Sequence, residues 1–180
     1  MSFQEMLDKA FPPETDANVV RGVNEGILLA DSTLDSANFL KSQIGRDLRG
    51  HLRRAAILFR LHSMATEGDL PFISTLSKMP RGNWHWIELK SGIFTSHICR
   101  TDASDAFPID TPTRQDDRLT NQDDLFLPSA VVTPIKGYTA WLTFGTGDSG
   151  MLGHLCWGMP KANEDVWLAR TNIIRRARES

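Results

Sequence analysis

Cysteine is nearly missing from this chain: its 180 residues hold two, Cys99 and Cys156. So few thiols cannot staple a fold, and stability must come from a buried core, which a chain of this length can build. Long apolar runs are missing too; no stretch approaches the ~20 apolar residues that span a bilayer. Charge of one sign is scarce, with a formal net charge of −2 and a pI near 6.2. That balance excludes a protein that coats nucleic acid indiscriminately, which needs a dominant basic field, but leaves room for a local basic patch. Neither a Walker nor a Rossmann glycine loop is present, so phosphate binding by those two routes is excluded. Residues 1–8 show no basic n-region and no apolar run, hence no secretory signal. The expectation is a cytoplasmic protein with reduced thiols and no membrane association.

What is present changes character along the chain. Residues 2–10 suit a short helix stopped by Pro12 and Pro13. A second helix begins after Thr15 or Asp16 as N-cap, with Val19, Val23, Ile27 and Ala30 on one face. Gly22 and Gly26 share that helix. The segment is too polar to span a membrane, so they read as a close helix–helix approach inside a bundle. Ser32 followed by Asp35 resembles a capping signal and predicts a third helix, bent or broken near Gly45 or Gly50 and running to about Thr66. Along it Ile44, Leu48, Leu52, Ala55 and Phe59 span an arc of about 80°, which predicts a buried seam. Arg46, Arg49, Arg53 and Arg60 gather opposite as an arginine ridge, which Arg54 and the C-terminal arginines could join. His51 and His62 lie on or near the apolar arc, as hydrogen-bonded core histidines would.

After Gly68 the side-chain period shifts from helical to alternating. Residues 84–90 and 93–101, separated by Ser91-Gly92, predict a β-hairpin. Residues 102–126 form a long polar loop, with seven Asp and two Arg between 102 and 124, expected to run over the surface. Strands resume at 131–132, 139–144, 153–159 and 166–174, with turns at 145–150 and 160–165, so a meander is expected. Arg175, Arg176 and Arg178 close the chain as a basic, frayed tail. The fold expected is α+β: a single domain with a helical part at 1–67 and a β-rich part at 84–174. About three helices pack on a mostly antiparallel sheet of five or six strands.

Several residue clusters could carry chemistry. Residues 91–99 (SGIFTSHIC) echo residues 149–156 (SGMLGHLC), so both cysteines follow a histidine by two positions, at His97/Cys99 and His154/Cys156. On a strand each unit points to one face, and two facing strands would offer zinc a tetrahedral site. Ile87-Glu88-Leu89-Lys90, preceded by Asp69 and a helix, resembles the core of the PD-(D/E)xK nuclease superfamily. That resemblance implies Asp69 and Glu88 as ligands of Mg²⁺ or Mn²⁺, with Lys90 positioning the attacking water. The superfamily places its Asp on a strand and a helix after the Glu-x-Lys strand, whereas here Asp69 precedes Leu70-Pro71 and another strand follows. Gly147-Asp148-Ser149-Gly150 resembles the nucleophile motif of trypsin-like proteases, but continues with Met151-Leu152 rather than Gly-Pro and reads as a turn.

The ridge of Arg46, Arg49, Arg53 and Arg60 can lie along phosphates or an acidic partner. Arg100-Thr101-Asp102 and the run from Arg114 to Arg118 bracket the polar loop. They can close it by ion pairs or converge on a phosphate-bearing ligand. Trp84, Trp86, Trp141 and Trp157, on expected strands, form core or line a pocket. No strong catalytic motif stands beside the one-sided basic helix. The leading expectation is therefore an interaction module that binds a protein or nucleic acid through those arginines. The alternative is a metal-dependent phosphodiesterase built on Asp69, Glu88 and Lys90.

Overall fold

A computed structural model describes residues 1–79, 84–121 and 137–179. Helix α1 (Phe3–Ala10) opens on a capping box, in which Ser2 Oγ accepts from the Glu5 amide and the Glu5 carboxylate accepts from the Ser2 amide. It ends just before Pro12-Pro13, as the sequence requires. A short 3₁₀ turn, Pro13–Thr15, leads into α2 (Asp16–Ser36). Ser32 and Asp35 do not open a new helix; both lie inside α2, which holds no breaker in that stretch and stops only at the extended Ala37. Two short helices follow, α3 (Asn38–Lys41) and α4 (Gln43–Asp47), and then α5 (Arg49–Glu67). Gly68, at φ 89°, ends α5 in the left-handed conformation that glycine adopts freely.

α2 and α5 approach unusually closely, and Gly22 and Gly26 allow it, as the sequence implies. A Cβ placed on Gly26 would lie 2.7 Å from Ile57 Cα, and one on Gly22 would lie 2.7 Å from Met64 Sδ. The face of α5 that meets α2 includes Ile57, Leu61 and Met64, while Leu58, also buried, turns toward the sheet beside Arg54. This overturns the expected seam: Ile44 is 79% exposed and Phe59 61% exposed, and Leu48 and Ala55 also face outward. Leu52, Ala55 and Phe59 lie within α5 itself; by the same count of 100° per residue Ile57, Leu61 and Met64 form a second apolar arc on the opposite side, and that is the one α2 covers. Of the two histidines, His62 hydrogen-bonds Ser74 Oγ at 2.8 Å, whereas His51 is exposed and stacks on Trp84.

The β-rich part comprises β1 (Ile73–Lys78), β2 (His85–Ser91), β3 (Phe94–Arg100), β4 (Tyr138–Thr146), β5 (Leu152–Pro160) and β6 (Trp167–Asn172). They form a six-stranded open sheet in the order β1-β2-β3-β4-β5-β6. All neighbours are antiparallel except β3 and β4, which are parallel. The fold is thus α+β, with helices packed on a mixed, mostly antiparallel sheet. Among the elements not expected from the sequence are β1 and, within the polar loop, α6 (Pro112–Arg118). Thr111-Pro112 is the signal for α6, an N-cap followed by proline at the first helical position. The expected strand at 131–132 lies outside the described residues.

Alternation gives the sheet two faces. Ile87, Leu89, Phe94, Ile98, Leu142, Phe144, Leu155 and Trp157 join the helices in the main core. The opposite, outer face carries Trp86, His97, Cys99, Trp141, Thr143, His154 and Cys156. Part of the loop after β3 covers it, with Phe107 against Trp141 and Trp167. Asn121 fastens this cover from a buried position, bonding Thr139 N, Thr139 O and Pro160 O, each at 2.8 Å. The loop thus lies on the surface, with much of 102–121 exposed, but is pinned to the sheet through Phe107 and Asn121.

The basic tail is also structure. It forms α7 (Ile173–Glu179), and Arg176 grips the fully buried Asp16 through two bonds of 2.6 and 2.9 Å. It also donates to Asp8 at 2.5 Å and to the Phe11 carbonyl at 2.8 Å. Burial pushes the Asp16 carboxyl above its usual range despite the opposing pull of Arg176. The tail signal read as fraying because its partners lie some 160 residues away in sequence.

Two outcomes are expected in urea unfolding. Gly26→Ala meets backbone atoms of α5, so the upper end of the usual about 1–3 kcal/mol overpacking penalty applies. Against a helix-propensity gain of ~1 kcal/mol the net loss is ~2 kcal/mol. Arg176→Met strands Asp16 and costs about 3–5 kcal/mol at neutral pH, with part recovered in acid where Asp16 is neutral.

Candidate functional site

β2 and β3 part company midway. Their register runs only from Leu89↔Ser96 to Ser91↔Phe94, so Trp86 to Glu88 have no partners across from His97 to Arg100. Side chains from two helices converge on this opening. α6, capped by Thr111 Oγ1 accepting from the Arg114 amide at 3.3 Å, supplies Arg114 and Asp117. α5 supplies Arg54. A cavity of about 90 Å³ results, lined among others by Arg54, Trp86, His97, Cys99, Arg114 and Asp117. It adjoins a wider cavity of about 280 Å³, which shares Arg54, Ile98 and Arg114 and adds Arg100, Thr101 and Phe107. A third, of about 220 Å³, shares Arg100 and brings in Arg49 and Arg53. A larger cavity of about 380 Å³ lies elsewhere, between α1 and the β2–β3 turn, but its lining is mostly apolar with Lys9 as its one charged side chain.

The electrostatics of the joined cavities are unbalanced. Arg54 makes no hydrogen bond or ion pair among the described residues. Burial, with Arg114 nearby, lowers its pKa, while Cys99 opposes the shift. Arg114 is held by the Ile109 carbonyl, and Arg100 has only a loose contact with Asp102 at 4.0 Å. His97 sits against Trp86 at a ring-centroid distance of 4.1 Å. Burial, and then Arg114, drive its pKa down to about 4, so the imidazole is neutral near pH 7. Asp117 lies 3.9 Å from His97 Nε2, too far for a hydrogen bond. Burial and the charge of Glu88 push Asp117 up to about 7, with Arg114 opposing. Among the described residues Trp86 Nε1, His97 Nδ1 and Asp117 Oδ2 are buried without a hydrogen-bond partner. Buried polar atoms normally find one, so the three at this cavity make it the candidate site. Burial raises Cys99, so it is a thiol rather than a reactive thiolate.

The sequence clusters fare differently. His97/Cys99 and His154/Cys156 do share the outer face, but β4 runs between them: Cys99 is level with Thr143, and Thr143 with Cys156. Two strand spacings, ~9.6 Å, separate the cysteines. His154 turns instead to Thr101 Oγ1 at 2.8 Å, and Cys156 faces the Ser104 carbonyl at 3.9 Å. The zinc site is not assembled, and among the described residues no three such donors are grouped as a metal would need. Asp69 and Glu88 do not meet either. Asp69 pairs with Arg21 of α2 at 2.8 Å, before β1 begins, whereas Glu88 is level with Thr75 inside β1 and pairs with Lys90 at 3.5 Å. The acidic neighbour that Glu88 does meet is Asp117.

The arginine ridge is partly absorbed. Arg53 forms a bidentate pair with Asp31 at 3.0 and 2.6 Å, and Arg60 bonds Glu25 at 2.5 Å, both on α2. Arg46 and Arg49 stay exposed, Arg49 with a loose 3.9 Å contact to Asp31. The groups that converge are Arg54, Arg100 and Arg114; Arg100 and Arg114 are legible in the sequence as arginines that bracket the loop, Arg54 only as a possible member of the ridge. The meeting of Asp117 with His97 has no sequence signal, because it depends on the parting of β2 and β3. Of the tryptophans, Trp157 is core, Trp141 is buried on the outer face, Trp86 lines the cavity and Trp84 is 61% exposed.

The raised Asp117 sets a pH dependence. The folded protein holds this proton between about pH 4 and 7, where the unfolded chain has lost it, so the carboxyl's contribution to stability declines across that window as pH rises. Asp117→Asn removes the decline. In urea titrations the variant is expected to match the wild type near pH 4 and to exceed it increasingly up to about pH 7. Comparison with known protein families, with curated proteins and with solved structures finds no match for this chain.

Proposed function

We propose that this chain is a binding module for a small oxyanionic ligand, carrying a phosphate or carboxylate group, held between Arg54 and Arg114. The observation that carries this reading is Arg54: a half-buried guanidinium that meets no counter-charge among the described residues and faces a second arginine across a cavity. Two cations facing one space repel each other, and an oxyanion between them removes the repulsion while accepting forked hydrogen bonds. Arg100 and Thr101 at the wider mouth would take further oxygens or the rest of the ligand.

A protein or nucleic-acid partner along α5 is the second reading, supported by the outward Arg46 and Arg49 and by the adjoining cavity of Arg49, Arg53 and Arg100. It takes less support from geometry than the sequence promised, since Asp31 and Glu25 already neutralise Arg53 and Arg60. The metal-dependent phosphodiesterase takes less still, as Asp69 stands apart from Glu88 and Lys90.

Thermal unfolding with added sulfate, inorganic phosphate or succinate tests the first reading. Saturating ligand is expected to raise Tm by several degrees. Arg54→Met should weaken binding roughly tenfold or more, the loss of a charged hydrogen-bond donor, while Arg60→Met, remote from the cavity, leaves affinity unchanged. Binding of duplex DNA that Arg49→Glu with Arg53→Glu abolishes, with no response to small anions, would favour the second reading instead.

A further inference from the structure

We propose that Asp117 is part of this ligand site as a hydrogen-bond donor, in its neutral carboxylic form, so that an oxyanion entering between Arg54 and Arg114 is bound together with one proton. The inference rests on the anion-binding reading and goes beyond it, because it assigns the ligand a third contact and makes occupancy depend on pH.

The geometry leads there in three steps. Asp117 lines the same 90 Å³ cavity as Arg54 and Arg114. Its Oδ2 is buried and unpartnered, and His97 Nε2, the nearest charged-group contact, is 3.9 Å away. An ionised carboxylate has acceptors only, so facing an oxyanion it would place like charges together with no hydrogen bond between them. A carboxylic acid in the same position offers an O–H to that oxygen, and the donor set of the cavity becomes two guanidinium groups and one hydroxyl. In its ionised form the carboxylate opposes the charge that the arginines attract, so binding favours the acid.

The groups around Asp117 fit a proton held at this position. Glu88 on β2 and Asp116 on α6 disfavour its charge, while Arg114 on α6 favours it. His97 and Cys99 on β3, both neutral near pH 7, and Arg54 on α5 complete the lining. With the carboxyl already raised to about 7 in the free protein, a bound anion adds one more like charge and raises it further. Below that value Asp117 is protonated before the ligand arrives. Above it, each binding event draws a proton from solvent, and affinity falls with rising pH by up to tenfold per unit. His97 does not compete for that proton, since it stays neutral down to about pH 4.

Sulfate is the suitable probe, because its own charge is constant across the neutral range. Calorimetric titration of the full chain near pH 8, in two buffers of different ionisation enthalpy, should show uptake approaching one proton per sulfate, falling toward zero near pH 6. Asp117→Asn keeps a donor without a titrating proton. It should bind sulfate at pH 8 more tightly than the wild type, with no proton uptake and a flat pH profile. Glu88→Gln removes a like charge and should shift the onset of the affinity loss to lower pH. Sulfate binding without proton uptake, or a pH profile unchanged in Asp117→Asn, overturns the role of Asp117 and leaves the arginine site standing. Failure of every anion to bind overturns the arginine site and this inference with it.

Discussion

The distance between α2 and α5 is the constraint from which the site follows. Gly22 and Gly26 remove the side chains that would hold the helices apart, so Ile57, Leu61 and Met64 lie directly on the α2 backbone. That approach sets both the height and the rotation of α5 above the sheet. The rotation buries Leu58 and presents Arg54 to the opening beside β3, while Arg53 and Arg60 are turned back to Asp31 and Glu25. One turn of helix thus sorts its arginines into two populations. Those beside α2 are neutralised by it, and the one beside the sheet is left with its charge uncompensated among the described residues.

The second determinant is the parallel pairing of β3 with β4. An antiparallel neighbour can be reached by a tight turn, but a parallel one requires the chain to return the length of the strand. Part of that return crosses the outer face, where Phe107 packs against Trp141 and Trp167 and α6 is laid beside His97. A face with two imidazoles and two thiols flanking β4 would otherwise stand in water. Covered, it becomes a second interior, and the carboxyl of Asp117 is desolvated as a consequence of the cover rather than of any local motif.

The sequence made the fold legible wherever periodicity was local. The hairpin at 84–101, the last three strands and the first two helices lie close to where the residues put them. So does the helix–helix contact at Gly22 and Gly26. Periodicity alone did not decide which face is buried: α5 carries two apolar arcs, Leu52-Ala55-Phe59 and Ile57-Leu61-Met64, and contact with α2 covers the second. Long-range pairing was invisible. Nothing in His97-Ile98-Cys99 says that a parallel strand will separate it from its echo at His154-Leu155-Cys156, and that one fact dissolves the zinc proposal. The arginines at 100 and 114 were legible as a pair that could meet a ligand, because they bracket the loop. Asp117 was not, since its surroundings come from four different elements.

Arg176 has a consequence for the order in which the molecule can be completed. A chain made from its first residue onward presents Asp8 and Asp16 early, with helix α2 able to form around them, yet the guanidinium that Asp16 is buried against arrives only with the final helix. Until α7 docks, sealing α1 and the start of α2 would trap an unmatched carboxylate in an apolar setting, which chains avoid by staying open or by holding a proton there. Closure of the N-terminal helices around an ionised Asp16 is thereby tied to the docking of α7.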